Sequence, residues 1–190
     1  MNKPTMDELR STGAVPRVHG NGFIQLDVAE GTRLHIWGHR SLPRQVVDTG
    51  IHDHTFGFIS TVIVGRLVNR VIDIRPISAD LVRKQVFKVY RPQPRDGEDT
   101  VLVDSRERVH TFERRIQVVH AGEEYRMFPF QFHESFTDRP SASIMVKHLR
   151  QKGVARVLVP EDAEPDNTFN RNTALDERAL WNIIEDVLWH

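Results

Sequence analysis

Two histidines one residue apart, in Gly50-Ile51-His52-Asp53-His54-Thr55, are the residues in this chain whose type and spacing speak most directly to chemistry. In extended backbone, positions i and i+2 project to the same side, so His52 and His54 would offer two imidazole nitrogens to one ion. The following Ile59-Ser60-Thr61-Val62-Ile63-Val64 is β-branched, turns at Gly65 and resumes as Val68-Asn69-Arg70-Val71-Ile72-Asp73-Ile74, which places the pair at the start of a hairpin. With ten histidines in 190 residues, the bare pair serves equally well as a structural or surface feature. A three-ligand site needs a residue from a distant strand, and the best candidate is His133, set among aromatics in Met127-Phe128-Pro129-Phe130-Gln131-Phe132-His133. A histidine in so apolar a setting needs a hydrogen-bond partner or a metal to offset its desolvation. Taken alone, it reads first as a satisfied core histidine. In a strand, Glu134 points away from the His133 face, whereas Gln131 shares it and could orient a substrate or water.

These residues must be held by a scaffold, and the composition limits what that is. A length of 190 residues with 39% hydrophobic content fits one soluble domain with appendages. Lys plus Arg and Asp plus Glu both total 26, so no net field draws the chain to nucleic acid or to an anionic membrane. The absence of cysteine excludes disulfides, thiolate ligands and a cysteine nucleophile, leaving histidine and carboxylate as the strong metal ligands. Neither a signal-peptide run near Met1 nor a spanning stretch of about 20 apolar residues is present, and the expected location is the cytoplasm. Phosphate-loop, dinucleotide and Gly-x-Ser-x-Gly signatures are also missing.

From Gly22 to Val159 the chain is a succession of short β-like runs: Phe23 to Val28, Arg33 to Trp37, His54 to Ile74, Val86 to Tyr90, Thr100 to Val103, Arg115 to Val119, Tyr125 to Phe130, Ser141 to Leu149 and Ala155 to Val159. That spacing predicts an all-β sandwich or barrel over residues 20–160, with Pro92 to Asp99 a solvated loop between strands. A short helix around Met6–Arg10 lies in an extension over residues 1–19. Residues 161–190 read as an acidic linker and a helix after a Thr173-x-x-Asp176 capping pattern, with an apolar stripe of Leu175, Leu180, Ile183, Ile184, Val187 and Leu188. The stripe would pack on the barrel, or else form a homodimer contact.

His52-x-His54 followed by a strand and Gly65, then Gly122, Pro129 and His133, resembles the two motifs of the cupin superfamily. Trp37-Gly38, Ile51-His52-Asp53-His54-Thr55, Gly65 and Ile74-Arg75-Pro76 resemble its cysteine dioxygenase branch, over roughly residues 20 to 150. At the second motif Gln131 stands in the usual glycine region and the Pro-to-His spacing is one residue short. The resemblance implies an all-β double-stranded β-helix (jelly-roll) barrel, with His52, His54 and His133 as metal ligands. Phe58 occupies the place where many cupins carry a glutamate, so the site resembles the three-histidine version found in thiol dioxygenases. That version implies iron(II) first, with zinc, nickel or manganese able to occupy the same ligands. His148 matches a histidine lying just beyond the ligands in the family. The family's cysteine position falls at Ile59 and its tyrosine position near Arg150, which takes support away from cysteine as the substrate.

The expectation is therefore a non-haem iron dioxygenase-like oxidoreductase acting on a small anionic molecule and dioxygen. A non-oxidative metal cupin (isomerase or lyase) and a non-catalytic ligand-binding cupin are the alternatives. His148 and Arg150 are the expected catalytic residues, and Phe58, Gln131 and Arg33 the expected substrate contacts. Arg150 shares a face with Val146 and His148 if the strand stays regular, and would then offer an anion a bidentate partner at the cavity mouth. Its other reading is the start of a solvated turn. Arg33 is a second such anion binder, with solvent exposure again its other reading.

Overall fold

The computed structural model describes residues 3–42, 50–78, 80, 84–95, 98–165 and 175–189. Along the chain run α1 (Met6–Ser11), β1 (Arg17–His19), β2 (Phe23–Ala29), β3 (Thr32–Trp37), β4 (Phe56–Val64), β5 (Arg66–Pro76), β6 (Val86–Arg95) and β7 (Glu98–His120). After them come β8 (Glu124–Met127), β9 (Phe132–Phe136), β10 (Ser141–Arg150), β11 (Val157–Pro160) and α2 (Glu177–Trp189). The strands form two sheets, one ordered β1-β2-β3-β10-β4-β8 and the other β11-β6-β7-β5-β9. All registered pairs are antiparallel.

The chain changes sheets repeatedly. Between β4 and β5 it does so at Gly65, whose φ of 70° suits glycine and whose hydrogen faces Ser141: a Cβ there would stand 2.4 Å from Ser141 Oγ. Phe58, Val62, Tyr125, Met127 and Met145 of the first sheet meet Leu67, Val71 and Val119 of the second, forming the layer between the sheets. A second apolar layer covers the other face of the first sheet, where Ile24, Leu26, Leu34 and Ile36 pack against Leu9 of α1 and Leu180, Ile183, Ile184, Val187 and Leu188 of α2. The apolar stripe of α2 thus lies on its own chain's sheet. Each such side chain contributes roughly 1.5–3 kcal/mol on full burial, so the helix acts as a fixed outer wall behind the strands that carry the cavity.

Helix ends follow local hydrogen bonding. Thr5 caps α1 in a reciprocal box with Glu8. In α2 the N–H of Ala179 donates to Asp176 Oδ1 at 2.7 Å, so Asp176 caps that helix; Thr173 of the expected capping pattern lies outside the described residues.

The expected loop from Pro92 to Asp99 is instead mostly strand, because Pro92 pairs with Leu102 and Gln93 with Val101 in a ribbon of β6 and β7. β11 pairs only with Phe87 to Tyr90, so β6 is an edge strand beyond that point. Proline lacks an N–H to donate and is tolerated on such an edge. Among the described residues, no helix is long and apolar enough to cross a membrane.

Candidate metal centre

His52 sits in a short bridge between β9 and β11. Its N–H donates to the His133 carbonyl at 3.0 Å and the His133 N–H returns a bond to the His52 carbonyl at 2.9 Å. Two residues that exchange both backbone bonds stand directly opposite in an antiparallel ladder, with side chains on the same face. That pairing delivers the third histidine to the first. The alternation of extended backbone then adds His54 to this face, where the Phe130 N–H donates to the His54 carbonyl at 2.7 Å.

The ligand atoms of His52, His54 and His133 all lie within 4.8 Å of one another, and the three residues could hold a metal ion. Nε2 of His133 is 3.3 Å from Nε2 of His54. Nitrogens about 2.1 Å from a shared ion stand roughly 3.0–3.4 Å apart at angles between a right angle and tetrahedral, so this separation fits a common ion. Two rings also have their tautomers fixed. His52 Nδ1 lies 2.7 Å from the Gly50 carbonyl, which only accepts, so Nδ1 carries the proton and the Nε2 lone pair is left for a metal. His133 Nδ1 donates to Asn69 Oδ1 at 3.0 Å, an oxygen that also accepts from Ser135 Oγ at 3.0 Å. Partners of this kind orient ligating histidines and raise their basicity.

Burial lowers the pKa of His52, and it lowers those of His54 and His133 well below the ordinary histidine value, with repulsion among the three as the next cause for His54 and His133. The rings are therefore neutral in the folded protein, the form that ligates metal. Unfolding frees them to take protons below about pH 6.5, so the metal-free fold loses stability as pH falls through that value. His35, also buried and pushed down to about 3, extends the loss toward that pH. Each ring contributes up to roughly 1.4 kcal/mol per pH unit in the window. Urea unfolding of metal-free protein between about pH 7.5 and pH 5 should show this decline, and a flat profile would contradict it.

Asp53 faces away from the cluster. Its carboxylate takes the Arg156 N–H at 2.6 Å, Nε at 2.8 Å and Nη2 at 2.7 Å, and its own N–H donates to the Arg156 carbonyl at 3.0 Å. The same guanidinium lies 4.6 Å over the ring of Phe132, the residue before His133. One arginine therefore touches both chain segments that supply the ligands. Burial pushes the Asp53 carboxyl up, against the pull of Arg156.

A narrow cavity of about 50 Å³ joins the three histidines to His19, Asn21, Phe23, Gln25, Arg33, His35, Trp37, Phe58, Ser60, Tyr125, Ser135 and Met145. Of the expected substrate contacts, Phe58 packs edge-on to His54 with ring centres 5.5 Å apart, and Arg33 lines the wall while its Nε bonds Asp27 Oδ1 at 2.7 Å. Gln131 does not line the cavity; its Oε1 accepts the Phe128 N–H at 3.3 Å. β9 begins only at Phe132, and Gln131 closes a turn in which its own N–H donates to the Phe128 carbonyl at 3.2 Å, so the alternation that includes His133 does not reach back to it.

His148 and Arg150 also stand outside the lining. On β10, Met145 faces the cavity and Lys147 reaches over Phe56, whereas Ile144 packs on the outer layer beside α2. Parity puts His148 on that outer side, against Gly57. Arg150 is exposed, although its charge still acts on Lys147.

Several lining residues escaped the sequence reading. Tyr125 is buried with its hydroxyl 3.4 Å from Ser135 Oγ, and burial raises its pKa, so it keeps its proton. The alternation Glu124-Tyr125-Arg126-Met127 marked it as inward-facing. Asn69, which backs His133 without lining the cavity, was signalled by an amide at the buried parity between Leu67 and Val71.

No family model matches the chain, and no curated protein matches it at a significant level.

Proposed function

We propose that this chain is a mononuclear metal-dependent cupin, an oxidoreductase of the thiol dioxygenase kind that uses iron(II) and dioxygen on a small anionic substrate. The observation that carries the proposal is the all-histidine cluster of His52, His54 and His133, with two Nδ1 protons held by fixed acceptors so that Nε2 is left for a metal. Three neutral ligands leave a divalent charge uncompensated and coordination positions open, which suits an anionic ligand. When bound, iron(II) supplies Lewis acidity and one-electron chemistry with dioxygen. The strand order supports the cupin reading: β3-β10-β4-β8 faces the His52 bridge, β9, β5 and β7, and successive segments interleave across the two sheets as in a jelly roll.

The chain's own residues fit that role. Arg33 brings a cation to the wall, and Lys147 nearby feels Arg33, Arg150 and Arg17 against the carboxylate of Asp27. This local excess of positive charge favours an anion. Phe58, Trp37 and Phe23 make the wall apolar and limit water. Tyr125 Oη keeps a proton within the same cavity, available to hydrogen-bond a substrate oxygen or sulfur.

Anaerobic loading with iron(II), followed by oxygen-electrode assays with small mercapto and hydroxy acids, tests the reaction. Uptake of dioxygen that requires substrate and iron and is lost in His54→Ala is the expected result. Turnover with zinc or manganese in the absence of oxygen would replace this reading with a non-oxidative one.

A further inference from the structure

The wall opposite the ligands holds an imidazole that the metal reading does not use. His35 is 7% exposed, lines the cavity, and its Nε2 is buried with no hydrogen-bond partner among the described residues. Its ring lies among apolar neighbours, 4.8 Å from that of Phe23 and 5.8 Å from that of Trp37. A buried polar atom left unmatched is costly, and native proteins seldom keep one without a reason. Arg33 precedes His35 by two residues on β3 and lines the same wall. Such neighbours are about 6.5–7 Å apart along a strand, the span of a small molecule.

We propose that His35 is the residue by which this site selects its substrate: it hydrogen-bonds a hydroxyl that stands beside the anionic group held by Arg33, so the preferred ligands are small hydroxy acids. The assignment rests on the reading of the cavity as an anion site. Desolvation keeps the His35 ring uncharged, with one N–H and one lone pair. A hydroxyl both donates and accepts, so it satisfies Nε2 in either tautomer. A carboxylate, which only accepts, is better matched by the guanidinium.

Lactate and propanoate differ by one hydroxyl and form the probe pair. In calorimetric titrations of zinc-loaded protein, lactate is expected to bind about tenfold or more tightly than propanoate. His35→Leu should bring the two affinities together by weakening lactate and leaving propanoate unchanged. His35→Gln, which keeps a donor and an acceptor, should retain the preference. Should His35→Leu fail to fold, His35→Met serves as the apolar variant.

A preference that survives the apolar variant would belong to chelation by the metal and would overturn the assignment. Equal affinities in the unaltered protein would also overturn it, while leaving the anion reading in place. Failure of both acids to bind would remove the anion reading, and this assignment with it.

Discussion

Replacing His54 with alanine is expected to weaken divalent-metal binding by at least about a hundredfold while leaving the fold intact. The bound is set by the partners of ligating histidines, whose loss typically costs about 10–100-fold; losing a ligand costs more. Asn69→Leu, which removes the acceptor from His133 Nδ1, should fall in that lower range. The fold should survive His54→Ala because the strand contact there is the bond from the Phe130 N–H to the His54 carbonyl, which alanine keeps. Truncation also removes one of three crowded rings that burial and mutual repulsion keep uncharged. Cobalt(II) titration followed by visible absorption reads all three proteins. Glu134→Gln is the control, because Glu134 adjoins His133 in sequence yet pairs with Arg70. Equal affinity in His54→Ala and the unaltered protein would remove His54 from the centre.

Arg156→Ala is expected to be the most destabilising single change near the site, by about 3 kcal/mol or more, because it strands a buried carboxylate. The Asp53 side chain is fully buried, and Arg156 meets it through its backbone N–H, Nε and Nη2. The arginine is itself about a quarter exposed, which places the loss at the low end of the usual range for breaking a buried pair. Asp53→Asn in the Arg156→Ala background should recover part of the loss, since the residual charge is then gone. Metal affinity should fall in Arg156→Ala as well, because the guanidinium ties the His52–His54 segment to Phe132 beside His133. Chemical denaturation and cobalt titration of the two single variants and the double variant measure both effects. Stability within about 1 kcal/mol of the unaltered protein would show that the pair behaves as a surface ion pair.

The face of the histidine pair was legible in the sequence because extended backbone has a fixed period of two. The partner of that pair was legible only as a suspicion, His133 among aromatics, because the pairing of His52 with His133 spans 81 positions and leaves no local pattern. Parity also grouped Val146 with His148, but could not say which face of β10 turns inward. That strand is covered on both sides, by the inter-sheet layer at Met145 and by the helix-side layer at Ile144, so no polar face marks the outside. Gln131 departs from its expected place for another reason: it belongs to a turn with Phe128 just before β9, where the period of two does not apply. The 23-residue β7 looks like two strands in the sequence because the charged run Asp104 to Arg108 divides it, as suits a ribbon solvated beyond the sheet. Its bend at Arg106, with φ 65°, falls within that stretch.

The central claim is that three imidazoles hold one metal ion, and X-ray absorption at the edge of the bound metal tests it most directly. Protein purified under anaerobic conditions and loaded with iron(II) or zinc should bind one ion per chain. Its spectrum should show multiple-scattering features of three histidine rings with metal–nitrogen distances of about 2.0–2.2 Å. A shell of oxygen ligands with one imidazole or none, or binding well below one ion per chain, would contradict the account.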